Sequence, residues 1–217
     1  MPSSSPIQLE IVSDVVCPWC YIGKHRLERG LAMLKSGHKF DIRWRPYELN
    51  PTLPAEGMDR RDYCEAKFGS LEYADQLYAN VAANAEADGL PMDVAAIKRT
   101  PNTRAAHRLI EAAGECGRQD ALVDALFKAY FVDGKDVGDH ETLATLALEA
   151  GLDQQTATDT LQNNSRDVAI EAYERAVKDQ GIHGVPAFLF NGRMLFSGAQ
   201  SAETISLSLQ RAIDRGL

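Results

Sequence analysis

The sequence predicts an α/β fold: a β-α-β unit, an all-helical block, and a closing β-β-α unit. Three observations carry this. Apolar and polar residues alternate at Ile7-Gln8-Leu9-Glu10-Ile11, helical spacing dominates from Pro51 to about Lys178, and Asn191-Gly192 sits between two apolar runs near the end.

Alternation at residues 7–12 marks a half-buried strand. From Pro18 the period changes, and Ile22, Leu27, Leu31 and Leu34 trace one face of a helix expected to end near Gly37. Phe40-Asp41-Ile42-Arg43-Trp44-Arg45 alternates again and stops at Pro46, which cannot donate to a sheet. In the long middle, Leu122, Val123, Leu126, Phe127, Tyr130 and Phe131 form an apolar stripe. Leu143, Leu146 and Ala147 form another, and Val168, Ala169, Ala172, Tyr173 and Ala176 are read as a third. Breaks are expected at Gly69-Ser70, Gly89-Leu90-Pro91, Gly117, Gly134 to Gly138 and Gly151. Asn-Gly tolerates positive φ at both positions, so Ala187–Phe190 and Arg193–Phe196 read as a hairpin. A last helix runs from about Ala202 to Asp214, with Ser201 as its N-cap and Ile205, Leu209 and Ile213 facing inward.

The chemistry is concentrated in Cys17-Pro18-Trp19-Cys20, at the junction of the first strand and first helix. Two thiols at this spacing can close a small disulfide across a first helical turn. The unpaired N–H groups and positive dipole end found there favour a thiolate at Cys17, with Cys20 as the resolving thiol. Pro18 suits an early helical position, where its missing N–H costs nothing. A stable disulfide or half a metal site is the alternative. Zinc would want a second C-x-x-C or a nearby His pair, so no metal is expected. Cys64 and Cys116, isolated in helical segments, are read as buried, inert thiols.

The chain has 217 residues, with 31 acidic against 23 basic and a formal charge of −8. That excess argues against nucleic acid and anionic membranes as partners. No apolar run is long enough to span a bilayer, and Met1–Pro6 shows neither a basic n-region nor an apolar h-region, so a cytoplasmic location is expected. There, disulfides are more often catalytic than structural. No G-x-G-x-x-G or P-loop is present, so no nucleotide or flavin is expected.

The order of elements is that of a thioredoxin-like fold with an all-α helical insertion. The expected partition is a first thioredoxin-like part at 6–50, the insertion at 51–179, and a second part at 180–217. Ser13-Asp14-Val15-Val16-Cys17-Pro18-Trp19-Cys20-Tyr21-Ile22-Gly23 resembles the active-site segment of the FrnE-like branch of the DsbA family. Pro101-Asn102-Thr103-Arg104-Ala105-Ala106-His107 resembles that branch's Asn-Thr segment, and Gly184-Val185-Pro186-Ala187-Phe188 resembles its cis-proline loop. The resemblance implies a thiol–disulfide oxidoreductase acting through a Cys17 mixed disulfide. Pro186 would lie beside the cysteines, with the Val185 backbone pairing to substrate. It implies no bound cofactor, with glutathione as a potential co-substrate and a disulfide- or thiol-bearing protein or small molecule as partner. Homodimers occur in related folds, though no surface in the sequence identifies one.

Trp19 departs from DsbA itself, where a His stands between the cysteines. It is either an apolar platform for peptide or glutathione, or simple packing. Asp14 and Glu10 are either proton acceptors or strand-end carboxylates that are solvated or cap a turn. His25 and His183 either tune the thiolate or are ordinary histidines. Asn102, Thr103 and Arg104 either cap the following helix or line a cleft between insertion and core. Two rival functions remain. One is a glutathione-dependent isomerase or transferase of the 2-hydroxychromene-2-carboxylate isomerase and kappa-class type, which usually places Ser where Cys17 stands. The other is a non-catalytic holdase for disulfide-bearing chains.

Overall fold

The computed structural model describes residues 6–34 and 37–217. Its four-stranded sheet has the order β2-β1-β5-β6, built from β1 (Ile7–Ser13), β2 (Phe40–Pro46), β5 (Ala187–Phe190) and β6 (Arg193–Ser197). β1 pairs parallel with β2 and antiparallel with β5, and β5 pairs antiparallel with β6. The parallel pair is possible because α1 (Pro18–Ala32) supplies the crossover. α1 stops at Ala32 rather than near Gly37, its last turn closed by the Met33 N–H on Arg29 O. At the hairpin, Asn191 has φ 48° and Gly192 φ 76°, the left-handed pair that matches the sheet's twist. The Ser201 hydroxyl accepts the Thr204 N–H and starts α9 (Ala202–Asp214).

α1 and α9 pack together. A Cβ placed on Gly30 would stand 2.9 Å from both Ala202 O and Ile205 Cγ2, so this crossing needs a residue without a side chain. The helices α4 (Arg104–Glu115), α5 (Gln119–Phe131), α6 (His140–Glu149), α7 (Gln154–Gln162) and α8 (Asp167–Asp179) pack on one another and against β2. One apolar cluster runs without a break from Leu9 and Ile11 of the sheet through Trp44 to Leu109, Leu122 and Phe127. Gln119 joins the β2 edge: its side-chain amide accepts the Trp44 N–H at 2.8 Å and donates to Trp44 O at 3.0 Å. Lys24 of α1, only 3 % exposed, places its ammonium among Glu28, Asp120 and Asp124, with Asp124 at 2.7 Å. One ammonium offsets part of the charge of three carboxylates, and α1 is tied to α5.

The middle is less uniformly helical than its spacing suggests. Residues 58–59 (β3) and 99–100 (β4) form a short antiparallel pair, Met58 opposite Thr100 and Asp59 opposite Arg99. A 3-10 turn occupies Val94–Ala96. Pro51, Pro54, Pro91 and Pro101 interrupt any helix through these stretches, and Gly57, at φ +70°, lets the chain pass beside the Thr100 carbonyl. Between them lie α2 (Arg60–Phe68) and α3 (Leu71–Ala87). The stripes on α5 and α6 are buried as expected. On α8 the expected face is wrong: Val168 is 77 % exposed, Ala169, Ala172 and Ala176 are exposed too, and the buried residues are Ile170, Glu174 and Val177. Glu174 hides this face from a search for apolar periodicity. Its carboxylate is buried because it accepts the Glu48 N–H at 2.6 Å.

Candidate functional site

Cys17 is the N-cap residue of α1, with extended backbone (φ −86°, ψ 113°), and Pro18 is the first helical residue. The turn from β1 closes when the Cys17 N–H donates to Asp14 O at 3.1 Å. The Cys17 carbonyl then accepts the N–H groups of Cys20 and Tyr21. Both cysteines are thiols here. Cys20 is fully buried, close enough for its side chain to hydrogen-bond that of Cys17. Burial pushes the Cys20 thiol well up, Cys17 adds to the shift, and the Ser13 side chain and Asp14 backbone oppose it.

The proline loop reaches this site. The Cys17 thiol donates to Val185 O at 3.6 Å, and the Val185–Pro186 peptide is cis. Contact between loop and helix depends on Gly23, where an added Cβ would lie 3.0 Å from Pro186 Cγ and 3.6 Å from Phe188 Cζ. Cys17 is only 3 % exposed, but it lines an open cavity of about 370 Å³. Trp19 and Val185 share its wall with Cys17. Trp19 also packs on Ile22, Val81 and Ala85, so it serves as packing while presenting a surface to the cleft.

Asp14 is buried behind the cysteines. Its Oδ2 accepts the Leu49 N–H at 2.8 Å, and its Oδ1 lies 3.4 Å from His107 Nε2 of α4. Burial alone would pull the His107 pKa down. The carboxylates of Asp14, then Glu48 and Glu174, overcome it and hold His107 above the ordinary histidine value. Glu48, in turn, is held by Arg104, whose Nε donates at 2.9 Å.

Several expected site residues lie elsewhere. Asn102 and Thr103 do not line the cysteine cleft. The Asn102 amide donates to Leu53 O and its Oδ1 accepts the Arg104 N–H, so it fixes the start of α4, and Thr103 is buried beside it. His25 faces away from the cysteines, its Nε2 3.2 Å from Asp88 O in a separate surface cavity. Glu10 is paired with Arg45 rather than free. His183 is exposed and belongs to a small cavity on the outer side of the proline loop. Cys64 is buried, and burial raises its thiol's pKa. Cys116 is exposed, not buried, because it falls just past the end of α4.

The sequence reading missed the opposite wall of the cleft. Arg60, Tyr63 and Tyr78, from α2 and α3, face Cys17 across the cavity. Arg60 stacks over both tyrosine rings, 4.4 Å from the Tyr78 centroid and 5.5 Å from that of Tyr63, and donates to Thr100 Oγ1 at 3.1 Å. Burial pushes the Tyr63 hydroxyl up to about 12, against a lowering by its Asn50 hydrogen bond. An aromatic-cation-aromatic spacing across two helices was the available signal, and nothing local ties it to the cysteines.

Against known families, residues 8–210 match the model of the DSBA-like thioredoxin domain. The chain belongs to that family. Among solved structures of similar shape is a probable DsbA oxidoreductase from Streptomyces coelicolor. It is 34 % identical with a TM-score of 0.86, covering 96 % of this chain and 90 % of the other. A cytosolic disulfide reductase, DsbM from Pseudomonas aeruginosa with GSH, is 16 % identical with a TM-score of 0.64, covering 96 % and 98 %. A 2-hydroxychromene-2-carboxylate isomerase is 17 % identical with a TM-score of 0.67, covering 96 % and 95 %. The last two likenesses are of fold alone. The DSBA-like fold accounts for the helical insertion within the thioredoxin-like sheet. Among the described residues, no helix is long and apolar enough to cross a membrane.

Proposed function

We propose that this member of the DSBA-like family is a thiol–disulfide oxidoreductase working through Cys17 and Cys20. The observation that carries the reading is the position of Cys17: at the N-cap of α1, 3.6 Å from the Val185 carbonyl, opening on a cleft, with Cys20 buried behind it.

In the reducing direction, the Cys17 thiolate attacks one sulfur of a substrate disulfide. A Cys17–substrate disulfide forms, and the other substrate sulfur leaves as a thiolate that takes a proton from solvent. Cys20 then loses its proton and attacks Cys17 Sγ. The Cys17–Cys20 disulfide forms, and the second substrate thiolate departs, two electrons having passed from the dithiol to the substrate. An external thiol pair, with glutathione the chemically simplest candidate, restores the dithiol by the same exchange in reverse. The oxidising direction runs these steps backwards. Because solvent does not reach Cys20, its proton needs a buried acceptor. The groups within hydrogen-bonding reach of that thiol are the Cys17 sulfur, the Ser13 side chain and the Asp14 backbone, so the proton is passed among them. Val185 presents backbone to the substrate, and Trp19 gives it an apolar face. A cytoplasmic setting, where such exchange is catalytic rather than structural, belongs to the same reading.

Turnover of insulin or of a small disulfide with a thiol reductant tests it. Cys17→Ser should fall to the uncatalysed background. Cys20→Ala should retain the first attack and accumulate a mixed disulfide at Cys17, visible by mass spectrometry. Undiminished turnover in Cys17→Ser excludes the mechanism, and glutathione-dependent isomerisation without disulfide exchange points to the rival function.

A further inference from the structure

The Cys17 cleft is cationic in an acidic protein. The chain carries 31 acidic side chains against 23 basic, yet the cavity wall holds Arg60 and Lys67 and no carboxylate. Lys67 stands at the exposed rim, where its Nζ donates to Asn50 Oδ1 at 3.1 Å. Arg60 lies deeper and is half-buried. Its guanidinium has Thr100 Oγ1 as a hydrogen-bond acceptor and two tyrosine rings as stacking partners, but no carboxylate within 4.0 Å among the described residues. On its far side Arg60 borders a second cavity of about 690 Å³, whose Asp59 and Asp75 stay beyond ion-pair distance. Asp59 is occupied with capping α2.

Other half-buried or buried cations of this protein are matched: Lys24 by three carboxylates, Arg26 by Asp88, Arg45 by Glu10 and Arg104 by Glu48. A guanidinium removed from bulk water without an anion loses hydration that stacking only partly replaces. Its fork of donors matches a carboxylate. The cavity volume suits a molecule of a few residues rather than a protein loop.

We propose that Arg60 is the anchor for a carboxylate of a small, anionic thiol or disulfide, which it holds while the sulfur lies at Cys17. This deepens the oxidoreductase reading and rests on it. Arg60 is thereby a specificity-determining residue: it selects peptide-sized acidic disulfides over neutral ones, and Lys67 adds attraction at the entrance. Nothing in the exchange reaction changes; the inference concerns who is admitted.

The test separates binding from chemistry. S-methylglutathione, which has carboxylates and no reactive thiol, is titrated calorimetrically into the whole protein beside its dimethyl ester. The wild type should bind the acid roughly ten- to hundred-fold more tightly than the ester, the range expected for a hydrogen bond to a charged group. Arg60→Met should erase that preference and Arg60→Lys restore part of it. Equal binding of acid and ester by the wild type, or a preference that survives in Arg60→Met, overturns the proposal. Should Arg60→Met fail to fold, the wild type still decides: its preference must weaken as salt rises. In turnover, the kcat/KM ratio of oxidised glutathione to bis(2-hydroxyethyl) disulfide should drop by a similar factor in Arg60→Met. An equal loss with both disulfides means a merely structural role and also overturns the proposal. If the wild type turns over neither these disulfides nor insulin, the oxidoreductase reading fails, while the calorimetry still judges the anchor on its own.

Discussion

On one wall of the cleft, Cys17 and Val185 meet through short chain segments: a helix N-cap, a loop carbonyl, and a bare glycine that lets Pro186 approach. On the opposite wall, Arg60, Tyr63 and Tyr78 enter as long side chains from two helices, braced by Thr100 of a two-residue strand. The first wall has backbone and sulfur and is suited to exchange with any disulfide that reaches it. The second has charge and aromatic surface and is suited to discrimination. Reactivity and selectivity thus reside in different parts of the chain and should respond separately to substitution.

The largest effect expected away from the cysteines is at His107, which ties α4 to Asp14 in the turn that leads to Cys17. His107→Leu leaves a buried carboxylate unpaired, and denaturant titration at pH 6 should show a loss of about 3–5 kcal/mol. A loss below roughly 1 kcal/mol would mean the pair carries no charge. The sign of the pH dependence follows from His107 being held above its ordinary value. Its stabilisation is complete below about pH 6.5, the unfolded value, and fades as pH rises through the folded one. The gap between wild type and His107→Leu should therefore narrow in alkaline solution.

Next is a pair on α1. Gly23→Ala forces a methyl against Pro186 and should cost about 1–3 kcal/mol from overpacking, partly offset by about 1 kcal/mol of helix propensity. It should also slow mixed-disulfide formation by displacing Val185 from Cys17. Gly30→Ala, crowded against Ala202 and Ile205, should lower the melting temperature while the exchange rate stays at the wild-type level. If both variants slow exchange equally, the contact between Gly23 and Pro186 has no special part in the site. The smallest effect is at the rim. Lys67→Gln should change KM for an anionic disulfide by no more than a few-fold, and the change should vanish at high salt, because exposed charges contribute under about 1 kcal/mol.

What could be read from the sequence follows the same division. Cys17–Cys20, the Asn191-Gly192 turn and the Ser201 cap are each decided within a few residues, so local patterns sufficed. The elements of the first wall were legible for the same reason, though their meeting at Cys17 needed a family resemblance. Arg60 and His107 gain their meaning only from partners far along the chain. Periodicity carries no such information. It was also misled on α8, where burial of Glu174 is satisfied by a backbone N–H of Glu48. Asn102 shows the converse: a polar residue in a suggestive motif, placed by the fold on a loop carbonyl instead of the cleft.

The Gln119 amide on Trp44 has a wider effect. By imitating one residue of a neighbouring strand, it plugs a rung of β2, along which α4, α5 and α8 also pack. Growth of the sheet by an incoming chain is thereby directed to the β6 border, where Met194 is half exposed and the proline loop lies alongside. The sheet's remaining rim is thus bordered by the same proline loop whose Val185 carbonyl meets Cys17.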